Sequence, residues 1–189
     1  MTAMPVAGYL ALLYFGSEML IGLLRPAKAG ARSPADRSST RVLWILIPVS
    51  MFFGFQMEFG LPAASWGYQP WINVLGIAIT LAGLAFRWYS IIYLGRFFTV
   101  NVEIAADHQL IESGPYRRLR HPSYTGALLA FYGLALCTQN WVSLTIMTVG
   151  PTVAFLYRIH VEEVALAGAF GERYREYMQR TARLIPAVY

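Results

Sequence analysis

The chain has 189 residues, of which 57% are hydrophobic and 13% charged, whereas a soluble domain carries about 25% charged residues. With a mean hydropathy of +0.46, this excludes an ordinary soluble domain. A net charge of +5 does not point to nucleic acid, because the basic residues are confined to segments between long apolar stretches.

Five stretches, roughly residues 5–24, 42–60, 71–94, 123–139 and 141–157, are apolar enough to cross a bilayer, against a usual need of about 17–25 residues. The opening Met1-Thr2-Ala3-Met4-Pro5 lacks the basic n-region of a signal peptide. The first span carries Glu18, an acid in an apolar setting and hence a functional candidate, or else a hydrogen-bonding partner for a neighbouring helix. The linker from Arg25 to Arg41 is basic and is expected to lie against anionic headgroups with no chemistry of its own. The second span ends near Glu58 at an outer loop with interfacial Trp66 and Trp71. In the third, Gly76, Gly83, Ala78, Ala82 and Ala85 allow close helix approach, and Arg87 is expected to snorkel to the nearer surface.

Residues 95–120 read as an irregular segment, with short strand-like alternation over Phe97–Ile104 and a turn at Ser113-Gly114-Pro115. It ends in Arg118-Leu119-Arg120-His121-Pro122-Ser123-Tyr124, where a polar loop enters an apolar run. Pro122 suits the first turn of a helix, whose free N–H groups and positive end then face the loop. Gln139-Asn140 separates the last two spans as a tight helical hairpin. The lone Cys137 excludes a disulfide within the chain and reads as a small core residue. The fifth span runs into Arg158, Glu162 and Glu163; a continuing helix puts Arg158 and Glu162 on one face. The tail from Val164 to Arg180, with Phe170, Tyr174, Tyr177 and Met178, is amphipathic and is expected to pack back over the mouth of the bundle.

Arg and Lys fill the first and third loops and the tail, and are missing from residues 61–70 and 139–140. With five spans, this charge bias puts the N-terminus outside and the C-terminus in the cytoplasm. One mouth then gathers His108, Tyr116, Arg120, His121, Tyr124, Arg158, Glu162 and Glu163. The histidines fit no metal template, and no phosphate loop or nucleophile elbow occurs. What remains is a polar pocket of both charge signs with aromatic walls, suited to a zwitterionic cofactor and an amphipathic substrate. Taken singly, His121 also reads as a capping histidine, Arg158 and Glu162 as a surface ion pair, and Tyr174 and Tyr177 as packing.

The motifs as a set run H-x-L-[IV]-x-x-G-x-Y-x-x-x-R-H-P-x-Y-x-G from His108 to Gly126, then R-x-x-x-E-E at Arg158, Glu162 and Glu163. F-G-x-x-Y-x-x-Y follows from Phe170, and T-x-R-L-I-P from Thr181. Over about the C-terminal half, the chain resembles the isoprenylcysteine carboxyl methyltransferase family, including its small prokaryotic members. Membrane phospholipid and thiol methyltransferases resemble the R-H-P-x-Y core as well. The resemblance implies a single all-α integral membrane domain of five helices, with a three-span part (1–94) and a cofactor-binding part (95–189). It implies S-adenosylmethionine bound on the cytoplasmic side, under the amphipathic C-terminal helix. The cofactor contacts fall on His108, Gln109, Leu110, Ile111, Tyr116, His121, Pro122, Ser123, Tyr124 and Glu162, and on Asn101 where relatives usually carry Gln. Arg158 falls on the substrate-contacting, catalytically important arginine, with Glu162 beside it in the chemistry.

The acceptor implied is the carboxylate of an S-prenylated cysteine or a similar lipophilic acid, presented from membrane lipid. Such a carboxylate has a pKa of about 3.5 and needs no base at pH 7; it needs orientation and removal of water. A phospholipid amine or a small thiol must lose a proton, with Glu162 or His121 as base. A non-enzymatic scaffold that has kept the fold is the third possibility, to be told apart by absence of donor binding.

Overall fold

The structure is a computed structural model that describes residues 5–24, 33–98 and 109–186. Asn101 and His108, two of the cofactor positions, lie outside the described residues, as does residue range 99–104 of the strand-like stretch. Among the described residues, six helices follow one another: α1 (Val6–Leu24), α2 (Pro34–Gly60), α3 (Pro70–Leu94), α4 (Pro122–Leu136), α5 (Trp141–Phe170) and α6 (Glu172–Arg180), with short 3₁₀ turns at Pro62–Ala64, Gly95–Phe97 and Gly114–Arg117.

Among the described residues, four helical stretches are long and apolar enough to cross a membrane: Val6–Leu24, Pro34–Gly60, Pro70–Phe97 and Trp141–Phe170. The expected fourth span, 123–139, is α4, with 15 residues. At 1.5 Å per residue that is about 22 Å, short of a hydrocarbon layer of about 30 Å. The apolar run is longer than the helix because Thr138, Gln139 and Asn140 make the turn. α4 is a core helix, with Ala127, Ala130, Phe131, Leu134 and Ala135 buried between α3, α5 and α1.

Glycine explains how α3 and α4 come so close. A Cβ on Gly83 would lie 2.6 Å from the Gly126 carbonyl, and one on Gly126 would lie 2.6 Å from that of Gly83. Gly76 and Gly133 form a second reciprocal pair, at 2.6 and 2.5 Å. Both sets repeat at seven residues, nearly two turns, so the backbones touch along one seam. α2 meets α5 in the same way at Gly54 against Met147 and Gly150 against Ser50.

The expected hairpin at 139–140 is present, and it ties the helices at that end. The Gln139 amide donates to the Gln69 carbonyl (3.2 Å) and Asn73 Oδ1 (3.0 Å), and accepts from the Gln69 N–H. Asn140 caps α5 by accepting from the N–H groups of Val142 and Ser143, and donates to the carbonyls of Met57 and Leu61. At the opposite end the tail folds back. α5 stops at Gly171 (φ 56°), α6 follows, and the N–H groups of Arg120 and His121 donate to the carbonyls of Ala182 (2.8 Å) and Arg183 (3.1 Å). The buried Tyr177 hydroxyl donates to the Tyr116 carbonyl at 2.6 Å. The tail is thus docked onto the His-Pro corner.

Candidate active site

The corner at Arg120-His121-Pro122 is built around Glu163. Arg120 Nε donates to Glu163 Oε1 at 2.8 Å and Arg183 Nε to Oε2 at 2.9 Å. Arg120 Nη1 also donates to the carbonyls of Met178 (2.9 Å) and Thr181. A buried carboxylate held by two guanidinium groups is an anchor: it fixes α5, the corner and the tail to one another. Glu162, its neighbour, is different. Its side chain keeps 28% exposure and accepts from the Tyr124 hydroxyl at 2.8 Å.

His121 lies between the two glutamates. Nδ1 is 3.9 Å from Glu162 Oε2 and Nε2 is 3.5 Å from Glu163 Oε1, both too long for a good hydrogen bond. Its ring stacks on that of Tyr124, with centroids 5.6 Å apart and planes at 11°. Among the described residues, His121 Nε2 and the Tyr174 hydroxyl are buried polar atoms with no hydrogen-bond partner. Such orphans are costly in a packed core. Burial, with the Glu162 carboxylate nearby, pushes the Tyr116 phenol above its ordinary range. Burial does the same to Tyr177, so both stay protonated as donors.

Next to the corner lies a cavity of about 350 Å³ lined by residues of α1, α2, α3, α4 and α5. Its walls are mostly apolar, including Phe15, Ile47, Phe131 and Phe155, and its polar groups include Tyr14, Glu18, Arg87, Tyr124 and Arg158. Tyr124 thus faces the cavity while its hydroxyl holds Glu162. Arg87 does not snorkel as expected. Its Nε and Nη2 donate to the two oxygens of Glu18 at 2.7 Å each, and Nη1 donates to the Ser123 carbonyl at 3.2 Å. The long side chain meets an acid from a neighbouring helix within reach, so a paired charge in the interior replaces the excursion to the surface. The alternative reading of Glu18, as a partner for another helix, is the one the structure bears out.

Arg158 is 2% exposed and turns to α2, where Nη1 donates to Asp36 Oδ1 (2.6 Å), Ser39 Oγ (2.8 Å) and Thr40 Oγ1 (3.1 Å). This corrects the reading of 25–41 as a linker without chemistry. From Pro34 onward it is the start of α2, with Ser33 as N-cap and Pro34 in the first turn. Ser-Pro followed by Asp36, Ser39 and Thr40 at i, i+3 and i+4 is a helix-start signal with one polar face. It is the signal by which these three residues could have been found.

The structure brings Tyr124, His121 and Glu162 together and sets Arg158 beside Tyr124 in the cavity wall. Pro122 and Ser123 are buried at the start of α4, and the Ser123 carbonyl is taken by Arg87. Tyr116 is buried, with its hydroxyl donating to the Ser90 carbonyl at 3.3 Å. Gln109 is exposed, and Leu110 and Ile111 are half-buried.

Comparison with known proteins bears on the family and the fold. The family model described as Phospholipid methyltransferase matches residues 71–173. Protein-S-isoprenylcysteine O-methyltransferase B of Arabidopsis thaliana is 35% identical over 120 residues, covering 62% of this chain and 61% of the relative. Protein-S-isoprenylcysteine O-methyltransferase of Tribolium castaneum is 26% identical over 182 residues, covering 95% and 63%. The chain thus spans about three fifths of the length of these curated relatives. The solved structure of the eukaryotic intramembrane Ras methyltransferase ICMT (isoprenylcysteine carboxyl methyltransferase) without a monobody superposes with a TM-score of 0.64 at 24% identity. It covers 94% of this chain and 63% of that one, a likeness of fold. The chain is an integral membrane protein that belongs to the phospholipid methyltransferase family.

Proposed function

We propose that the protein is an S-adenosylmethionine-dependent methyltransferase that methylates the carboxylate of an S-prenylated cysteine or a similar lipophilic acid. The observation that carries this reading is the cavity wall at Tyr124. An apolar chamber holding Arg158 lies on one side of it, and a half-exposed carboxylate, Glu162, is hydrogen-bonded on the other. The residues present fit a cationic, many-donor cofactor. Glu162 offers an anion, the stacked His121 and Tyr124 rings offer aromatic faces, and two orphaned buried polar atoms await partners. S-adenosylmethionine, when bound, supplies an electrophilic methyl group carried on a sulfonium.

The chain's own residues do the remaining work. Arg158 holds the acceptor carboxylate by charge-assisted hydrogen bonds. The apolar walls strip water from it, which sharpens every electrostatic contact inside. Glu162, aimed by Tyr124, offsets the donor's charge. No general base is required, because the acceptor is already ionised. His108, Gln109, Leu110, Ile111, Tyr116, His121, Pro122, Ser123 and Asn101 complete the donor contacts in this reading, and α6 roofs them. In this reading α4, wrapped by protein, counts as the fourth of five passes, and the basic loops and the C-terminus then face the cytoplasm. Residues 1–94 form the three-span part and residues 95–189 carry the cofactor site.

The family's phospholipid description favours one second reading, an amine or small-thiol acceptor at the same site. The deciding experiment is transfer from radiolabelled S-adenosylmethionine to a panel of a farnesylated N-acylcysteine, phosphatidylethanolamine and a small thiol, with purified protein in lipid. Methyl ester formed on the prenylated acid supports the reading. Label confined to the amine or the thiol replaces it with the second. Absence of donor binding by calorimetry removes both.

A further inference from the structure

We infer that Asp36, with Ser39 and Thr40, is a positioning residue for Arg158: it fixes the guanidinium in the cavity wall and supplies its counter-charge whenever no acceptor carboxylate is present. The inference rests on the acceptor role proposed for Arg158. It starts from convergence. Three oxygens on one face of α2 meet Arg158 Nη1 at 2.6, 2.8 and 3.1 Å. The Asp36 side chain is fully buried and that of Arg158 is 2% exposed. The clamp is itself held. The Ser33 hydroxyl accepts from the Asp36 N–H at 3.0 Å, and the Ser39 hydroxyl donates to the Asp36 carbonyl at 3.0 Å, keeping its lone pairs for Arg158.

The clamp sits behind the site and not in it. Arg158 lines the cavity, and among the described residues Asp36, Ser39 and Thr40 do not. Arg87, the second guanidinium of the wall, is different again, since Nε, Nη1 and Nη2 are all bonded to Glu18 and Ser123. Arg87 joins α3 to α1 and α4, and Arg158 joins α5 to α2.

The chemistry explains why an aimed arginine needs a buried acid. Methylation turns the acceptor carboxylate into a neutral ester. Without Asp36, Arg158 would then be a buried cation facing an uncharged product, a costly state. With Asp36 its charge is matched both before the acid arrives and after the ester forms. Asp36 thereby restrains the preference of the site for acid over ester, which lets product leave.

The test is a pair of affinities measured without turnover, in the presence of S-adenosylhomocysteine: a farnesylated N-acylcysteine and its methyl ester, titrated into wild type, Asp36→Asn and Arg158→Gln. Asp36→Asn keeps the shape and one acceptor oxygen but removes the charge. It is expected to raise the acid-over-ester ratio about tenfold, the size of a typical coupling between charged sites. A purely structural role for Asp36 would weaken both ligands alike and leave the ratio unchanged. An unchanged ratio in Asp36→Asn with an altered one in Arg158→Gln overturns the role of Asp36 and leaves Arg158 as the acceptor contact. A ratio unchanged in both overturns the reading of Arg158. If Asp36→Asn does not fold, the Ser39→Ala/Thr40→Val double variant stands in. It is expected to lower kcat by several fold with KM changed less, and wild-type kcat in that variant overturns the clamp.

Discussion

The two ends of the helix layer are built from different chemistry. At the α4–α5 turn the polar groups are neutral amides, Gln139, Asn140 and Asn73, bonded to one another and to backbone carbonyls of α2 and α3. At the start of α4 they are charged: Arg120, Arg183 and Glu163 in one cluster, Arg158 and Asp36 in another. Neutral, directional bonds lock helices at modest cost. Buried charges are expensive and are justified where a charged ligand must be oriented. One end is joined by neutral groups and the other by charged ones, and the proposed site lies at the charged end.

The largest effect that could break this contrast is at Arg158. Arg158→Gln is expected to cut methyl transfer at least about a hundredfold, the cost of losing the orientation of a reacting group. Donor affinity should stay within about twofold, because the partner of Arg158 is the acceptor. The variant leaves Asp36 buried without its cation, at a cost of roughly 3–5 kcal/mol. Arg158→Gln/Asp36→Asn removes both charges and should recover most of that stability with none of the turnover. Recovery of turnover in the double variant would show the pair to be scaffolding.

A second contrast is between the two glycine pairs on the α3–α4 seam. Gly126 lies at the site end, where an added Cβ would sit 2.6 Å from the Arg87 N–H nitrogen; Gly133 lies toward the neutral end, against Thr80 and Gly76. Alanine at either overpacks the seam and should lower stability by about 1–3 kcal/mol. Gly126→Ala should also lower kcat/KM, since it shifts Arg87 and with it the Ser123 carbonyl. Gly133→Ala should leave kinetics as in wild type. Thermal unfolding and steady-state rates of both variants give the comparison.

Within the charged end, Glu162 and Glu163 separate in the same way. Glu162→Gln is expected to weaken S-adenosylmethionine binding about tenfold with the unfolding midpoint unchanged. The side chain is partly exposed and its partner is one tyrosine. Glu163→Gln is expected to lower the midpoint first, because two arginines lose their shared anion. Calorimetric donor affinity against midpoint, for the two variants, orders them; the reverse pattern would exchange their roles.

Much of this division could be read along the chain, where the signal was local. The turn at Gln139-Asn140, the helix start at Pro122 and the spacing of Arg158, Glu162 and Glu163 all lie within a few residues of the groups they organise. What escaped was pairing at a distance. Glu18 meets Arg87 across 69 residues, and Asp36 meets Arg158 across 122. No periodicity relates such partners, so each charge taken alone was assigned its default, snorkelling for Arg87 and a headgroup-facing linker for Asp36. The length of α4 escaped for a different reason. Apolar composition marks what is buried, and a helix wrapped by protein is as apolar as one wrapped by lipid.

The last expected effect is a pH dependence, and it bears on the acceptor. Compare, on one protein preparation, the kcat/KM of a prenylated acid with that of a small thiol from pH 6 to pH 8. Groups of the protein that titrate in this range act on both rates, so the ratio cancels those that bear equally on the two acceptors. The acid, with a pKa of about 3.5, is ionised throughout; a free thiol, with a pKa of about 8.5, gains thiolate about tenfold per unit as pH rises. If the site orients an anion and supplies no base, the thiol-to-acid ratio climbs about tenfold per unit while the rate on the acid tracks donor binding alone. A flat ratio would mean that the protein removes the thiol proton itself. The pair of His121 and Glu162 would then be a base, and the charged end would be a site for amines and thiols and not for carboxylates.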